Sequence, residues 1–338
     1  MTAEPQDKGV SAPSDSSTPE WMGAANWRSV AETYLSTALI RPLLFAVTQM
    51  LLLVNRFFPR FVLGLSFEVI DRCLQWLPVV PGTATEPVQL AHCTAEWTWN
   101  TADSPTAPGP TVIYFHGSAF MAMGINSHRP LVSRIARDSK GRALSVAYRL
   151  CPRNDVEDGI ADCVDAYRYV LSTGVRPENV ILAGDSAGGY MTAMTAISAH
   201  DQGLPTPAGC VMISATTNSD WEPAYAAATS MPDAMFSVSF LKMISEVILQ
   251  RNGTRSPEPS PVDVDLRALC PFLLQVGSKE ALRPDSELFA NRLAAAGVPV
   301  RLQIFDRAIH VFQFGAFYNP DARRAVDQIT SFIRSRTR

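Results

Sequence analysis

The sequence is short of charge. Only 18% of its 338 residues are Asp, Glu, Lys or Arg, against roughly 25% in ordinary soluble domains, while 47% are apolar. A chain with this much surface to bury is not disordered over most of its length. Positive charge is not in excess either, since 29 basic and 32 acidic residues give a net of -3. With no basic field to hold phosphates, nucleic acid is excluded as an expected partner. The six cysteines form no CxxC pair and do not cluster with histidine. Disulfide scaffolds need density and zinc sites need short spacings, so neither is expected. Six mostly buried, reduced thiols in a cytoplasmic setting are expected instead.

A long apolar run is missing as well. The run after Pro42, LLFAVTQMLLLV, covers 12 residues, is interrupted by Thr48 and Gln49, and is flanked by Arg41 and Arg56. A bilayer core takes about 20 residues of helix, so this run reads as too short to span. Residues 1–20 are polar, rich in Ser and Pro, and carry neither the charged start nor the apolar core of a secretory signal. They are expected to form a disordered tail. Trp27, Val30, Ala31, Tyr34, Leu35 and Ala38 then fall on one face of a helix. Pro42 suits the first turn of a second helix, and a third apolar stretch follows from Phe57 to Leu77. Residues 21–85 therefore read as helices packed on the main domain, with interfacial contact to a membrane as the sharper alternative.

From residue 86 onward, short apolar runs alternate with amphipathic segments. VQLAH and EWTWN suggest a first hairpin. TVIYF, ALSVAY, NVILAG, GCVMIS, PFLLQVG and VPVRLQIF suggest buried strands. Helical segments fall near 124–139, 158–173, 187–202, 282–296 and 320–336. That alternation predicts an α/β fold, a mostly parallel sheet of eight strands covered by helices on both faces. Residues 216–262 break it and are read as an insertion after the sixth strand, within a catalytic domain spanning 86–338.

The sharpest chemical signal is GDSAGG, Gly184 to Gly189, between the strand NVILA and the helix GYMTAMTAISAH. A G-x-S-x-G alone is weak, but strand–turn–helix is the context a nucleophile elbow requires. The turn is tight, so Gly184 and Gly188 leave no room for side chains. Ser186 would project its hydroxyl above the carboxyl edge of the sheet. The N–H of Ala187, at a helix N-terminus, could stabilise an oxyanion. A second small-residue loop, HGSAF, follows the strand TVIYF. Its Ser118 and Ala119 are the expected oxyanion donors, with Gly117 permitting the turn.

These two motifs resemble those of the hormone-sensitive-lipase-like family of α/β-hydrolases, which carries H-G-G-G or H-G-G-A before the elbow and G-D-S-A-G-G at it. The similarity covers roughly residues 85–336 and includes YRLCP at 148–152, which resembles Y-R-L-A-P. Ser118 stands where the family usually has glycine. The resemblance makes His116 a loop-shaping histidine and Asp185 a structural carboxylate beside the nucleophile.

A general base must follow the last strand if the order is Ser, acid, His. Of the five histidines, only His310 does, and FDRAIHVFQ resembles the family's closing H-G-F segment. His128 and His200 read as surface or helix-terminal residues, and His92 as a strand-edge residue. The acid should follow PFLLQVG, where Glu280 and Asp285 are available. The resemblance to D-P-L-R-D-E puts Glu280 on the acid. Asp285 is accounted for as a helix N-cap, and Asp306 as a loop cap.

The set implies a serine carboxylesterase acting through an acyl-enzyme on small to medium esters, an acylated specialised metabolite among them. An acyltransferase and a non-catalytic small-molecule receptor are the alternatives. No metal or organic cofactor is implied, and a homodimer is compatible with the resemblance. Trp21, Trp27, Met50, Phe57, Phe120, Met121, Met123, Phe236 and Phe240 are candidates for an apolar pocket.

Overall fold

The strands set the frame. The computed structural model describes residues 18–58, 68–103, 109–230, 233–251, 254–255 and 259–337. In it, six of the apolar runs form parallel neighbours: β4 (Thr111–Phe115), β5 (Arg142–Ala147), β6 (Val180–Asp185), β7 (Gly209–Ile213), β8 (Phe272–Gly277) and β9 (Val300–Phe305). The hairpin of β2 (Thr83–Gln89) and β3 (Thr94–Asn100) joins antiparallel beside β5. The central strands are buried on both faces, which is why they read as continuous apolar runs and not as alternation.

The two faces are covered by different helices. Ile113 and Phe115 point into one core with α4 (Val156–Ser172), α5 (Ala187–Asp201) and α8 (Arg283–Ala295). Val112 and Tyr114 point into the other, with α3 (Ile125–Asp138) and α9 (Pro320–Arg336). The strand order is β1-β9-β8-β7-β6-β4-β5-β3-β2. Among the described residues this sheet has nine strands where eight were expected. The extra one is β1 (Glu20–Trp21), parallel to β9 with Glu20 opposite Gln303.

That strand also corrects the expected tail. Residues 1–17 lie outside the described residues, but Glu20 is held by two 2.9 Å hydrogen bonds from Arg301. A bidentate guanidinium–carboxylate pair fixes geometry as well as charge.

The N-terminal region differs from expectation again at Pro42. Instead of two helices, one continuous helix, α1, runs Trp27–Phe57, with a π-helical segment at Ser36–Ile40. The Arg41 N–H bonds back five residues to the Ser36 carbonyl. This widened turn lies just ahead of a residue that has no N–H to donate and whose ring crowds the preceding turn. By length and composition α1 could cross a membrane, which the 12-residue run alone did not suggest. Most of the third apolar stretch lies outside the described residues. Its described part includes α2 (Glu68–Cys73). In the insertion lie α6 (Glu222–Ser230) and α7 (Val238–Met243), the latter continued by a π-turn to Ile248.

Candidate active site

The turn between β6 and α5 is as tight as its glycines suggest. Ser186 sits at φ 52°, ψ -120°, and its N–H donates to the Ile213 carbonyl at 2.8 Å. A Cβ on Gly184 would lie 2.2 Å from the Gly188 carbonyl oxygen, and one on Gly188 would lie 1.9 Å from that of Phe115. A Cβ on Gly189 would lie 2.4 Å from that of Ala215. Neither Gly184 nor Gly188 can be replaced without moving backbone. The result is a serine in the left-handed region, where non-glycine residues are strained, with its hydroxyl on the wall of a cavity. Among the described residues the hydroxyl has no hydrogen-bond partner.

The chain after β9 brings His310 to the same cavity. Its Nδ1 lies 2.8 Å from Glu280 Oε2, a geometry in which Nδ1–H donates and the neutral ring keeps Nε2 as an acceptor. The other carboxylate oxygen accepts from Ser214 Oγ at 2.8 Å and from the Gly277 N–H at 2.6 Å. Ser214 Oγ in turn accepts from the Val311 N–H at 3.2 Å, so one hydroxyl ties the Glu280 loop to the His310 loop. Burial opposes the charged imidazolium of His310, yet the hydrogen bond and charge of Glu280 outweigh it and hold its pKa above the ordinary value. Burial also pushes the Glu280 carboxyl up, against the pull of His310 and the Gly277 N–H.

The loop after β4 supplies the third part. The Gly117 N–H donates to Asp185 Oδ1 at 3.2 Å, and a Cβ there would lie 2.2 Å from Asp185 Oδ2. Gly117 thus spends its N–H on the scaffold. Among the described residues nothing accepts from the N–H groups of Ser118 and Ala119, and both residues line the cavity. Ser118, Ala119 and Phe120 all have positive φ, at 95°, 57° and 61°. Strain of this kind persists where surrounding structure over-determines it. His116 stacks on Tyr148 at 4.6 Å, and the Tyr148 hydroxyl donates to the His116 carbonyl at 2.7 Å. Burial and the nearby His128 lower the His116 pKa to about 4, which keeps this ring neutral near pH 7. Ala187, the first residue of α5, also lines the cavity.

His128 departs from the surface position expected of it. It is 2% exposed, its Nε2 lies 3.3 Å from Asp185 Oδ2, and its ring lines the cavity. Burial disfavours its charge, but Asp185 more than compensates, raising the pKa. The same pairing, with a 2.8 Å bond from the Tyr114 hydroxyl, overcomes burial and lowers the pKa of Asp185. The pairing spans 57 residues of sequence, so no local pattern around SHRPL could signal it. His200 and His92 are exposed.

Asp285 departs in detail. It lies in the first turn of α8 but does not cap that helix. Its Oδ2 accepts from the N–H groups of Thr217 and Asn218 at 2.9 and 3.2 Å and from Thr216 Oγ1 at 3.2 Å. It clamps the start of the insertion, and burial raises its pKa to about 6. Asp306 accepts from the Ala25 N–H at 3.3 Å, anchoring the segment before α1.

The cavity has a volume of about 420 Å³, within the range of small-molecule sites. Of the expected aromatic and Met residues, Phe120, Met121, Met123, Phe236 and Phe240 line it. Trp21, Trp27, Met50 and Phe57 do not, and each is more than half exposed. Leu44, Val47, Thr48 and Leu51 of α1 line it instead. The Phe236 ring lies 4.6 Å from that of His310 and stacks on Phe240. Two buried residues with no sequence signal hold the segment around Glu280: Ser214, and Asp233, which accepts from the Ala281 N–H at 2.7 Å and the Phe236 N–H at 2.9 Å. Among the described residues no group of three or more His, Cys, Asp or Glu side chains is arranged to hold a metal ion.

The family model for the α/β-hydrolase fold matches residues 112–314. An acetyl-hydrolase of Streptomyces hygroscopicus is 32% identical over 77% of this chain and 85% of its own. The esterase LipU of Mycobacterium tuberculosis is 32% identical over 80% of this chain and 93% of its own. Among solved structures, a hormone-sensitive lipase from a metagenome library superposes with a TM-score of 0.73 at 30% identity, over 87% of this chain and 98% of that one. The esterase EstE5, soaked with p-nitrophenyl butyrate, gives 0.72 at 29% identity, over 80% and 92%. The chain belongs to the α/β-hydrolase fold family, in its hormone-sensitive-lipase-like branch.

Proposed function

We propose that the protein is a serine carboxylesterase in which Ser186 is the nucleophile, His310 the base and Glu280 the acid. The observation that carries this reading is the 2.8 Å contact of His310 Nδ1 with Glu280, on the wall of the cavity that also holds Ser186. Ser186 Oγ attacks the ester carbonyl carbon while His310 Nε2 takes its proton. The carbonyl oxygen becomes an oxyanion, and the N–H groups of Ser118, Ala119 and Ala187 are the donors available to it. Collapse breaks the bond to the alcohol oxygen, which leaves with the proton from His310. Water then attacks the acyl-enzyme, again giving its proton to His310, and the carboxylic acid departs as Ser186 recovers its hydroxyl proton. Glu280 holds the imidazole in its tautomer and stabilises the imidazolium without itself taking the proton.

The apolar lining and the volume of about 420 Å³ suit small to medium esters, acylated specialised metabolites included. The roof consists of α1, in the N-terminal region 21–85, and of the insertion at 216–262 in the catalytic domain 86–338. The free thiols among the described residues fit a cytoplasmic setting, and a homodimer remains the resemblance's expectation. Incubation with p-nitrophenyl acetate and butyrate tests the activity. Steady turnover is expected. A burst without turnover would point to acyl transfer, and silence would remove the esterase reading.

A further inference from the structure

Helix α1 has two apolar faces, and among the described residues only one of them is covered. Leu44, Thr48 and Leu51 turn toward the cavity, with Thr48 and Leu51 buried. On the other side Leu43, Met50, Leu53 and Phe57 follow at helical spacing and are 63%, 55%, 58% and 67% exposed. The most apolar 18-residue window of α1 has a mean hydropathy of 1.8 but is only 11% buried. A core helix of this composition would be mostly buried, and soluble monomers rarely leave large contiguous apolar patches in water.

We propose that the outer face of α1 docks on the surface of an anionic phospholipid bilayer, with the helix lying in the headgroup plane. Charge selects this partner. Between Thr33 and Phe67 the sequence holds three arginines and no carboxylate, in a chain whose net charge is -3. Arg41 and Arg56 bracket the apolar run, and neither makes a hydrogen bond or ion pair among the described residues. Long basic side chains at the ends of an apolar segment can reach headgroup phosphates. Trp27 and Tyr34, 74% and 67% exposed, are the amphipathic rings that favour the membrane–water boundary.

The attachment of α1 decides between lying flat and crossing. At its start Ser29 Oγ donates to Asp321 Oδ2 at 2.8 Å, and Thr33 Oγ1 donates to the Arg307 carbonyl at 2.5 Å. Its second half packs on α7. A crossing helix needs about 20 residues clear of protein, and the stretch between these two attachments is far shorter. The geometry is that of an interfacial helix, in which one face stays with the protein. Val47 belongs to both sides, since it lines the cavity and is 40% exposed, so a docked bilayer would lie against the cavity's own wall.

Flotation of the full chain with vesicles of equal phosphatidylcholine and phosphatidylglycerol, and with phosphatidylcholine alone, tests this. The protein should float with the anionic vesicles and at least tenfold less with the neutral ones. The double variant Leu43→Glu/Leu53→Glu should lose flotation at least tenfold while hydrolysing p-nitrophenyl acetate at the unchanged rate. Arg41→Gln/Arg56→Gln, which keeps the apolar stripe, should lose the preference for anionic vesicles. Absence of flotation by the folded wild type, or equal flotation of the Glu variant, overturns the proposal. So does resistance to alkaline carbonate extraction, which marks a crossing helix. A dimer by light scattering that Leu43→Glu/Leu53→Glu dissolves also overturns it, because a second copy would then cover the face.

Discussion

The floor and the roof of the cavity are held by different physics. Beneath it, polar groups from distant parts of the chain meet at hydrogen-bond distance: Ser214 with Glu280, Glu280 with His310, Tyr114 with Asp185. Above it, the second half of α1 and the helices of the insertion meet through packed apolar side chains. Buried polar contacts are directional and fail if a partner moves or loses an atom. Apolar packing tolerates changes that keep volume. Substitutions in the floor should therefore act on chemistry, and substitutions in the roof on which esters are accepted.

The largest effect should come from Ser186→Ala. Loss of the nucleophile in a serine triad costs about 10⁶-fold in kcat, and the variant should keep its melting temperature. A fall of less than tenfold in p-nitrophenyl ester turnover would mean that another group attacks. Glu280→Gln should follow, with kcat down on the order of 10⁴-fold. It should also move the acid limb of the pH profile. In the wild type the base must be neutral, so kcat/KM should rise with pH through the raised His310 pKa, above 6.5. Without the Glu280 charge, burial still disfavours the imidazolium, and the limb should shift to lower pH. An unmoved limb would assign it to a different group.

In the roof, Phe236→Ala removes the ring against His310. We expect KM for butyrate esters to rise about tenfold, roughly what one or two lost apolar contacts are worth, with kcat less affected. A fall in kcat alone would place Phe236 among the groups that set the floor.

The smallest kinetic effect should be that of Asp285→Asn, with kcat within about threefold of wild type, because its carboxylate holds the Thr217 and Asn218 backbone and, among the described residues, bonds neither Ser186, Glu280 nor His310. Its signature is in stability. The folded pKa is raised to about 6 from the ordinary value of 3.8, so protonation is linked to folding. The linked stability is full below pH 3.8 and is lost as pH rises through about 6. Melting temperatures measured from pH 4 to 7 should show the Asn variant gaining on the wild type as pH rises. A constant difference would mean that the clamp does not titrate.

Much of the floor was legible because it is written locally. Gly184, Ser186 and Gly188 lie within five residues, and a strand and a helix on either side give them one meaning. The five long helices and the parallel strands were likewise carried by local periodicity. What escaped notice depends on contacts across the chain. His128 looks like a helix-surface residue until Asp185 is placed beside it, and Ser214 is one serine among many until β7 lies next to β8. The continuity of α1 through Pro42 was hidden for a different reason. A π-turn relieves the proline two to six residues upstream, and no residue type marks such a turn. Trp27, Met50 and Phe57 read as pocket candidates because composition cannot say which of two apolar faces is covered.

The account rests on Ser186 as the attacking group. The most direct test is to treat the full-length protein with a fluorophosphonate and locate the adduct by mass spectrometry of its peptides. One adduct per chain is expected, on the peptide that carries Ser186, with none in Ser186→Ala. An adduct on Ser118, or an inhibited enzyme with no adduct on either serine, would contradict it.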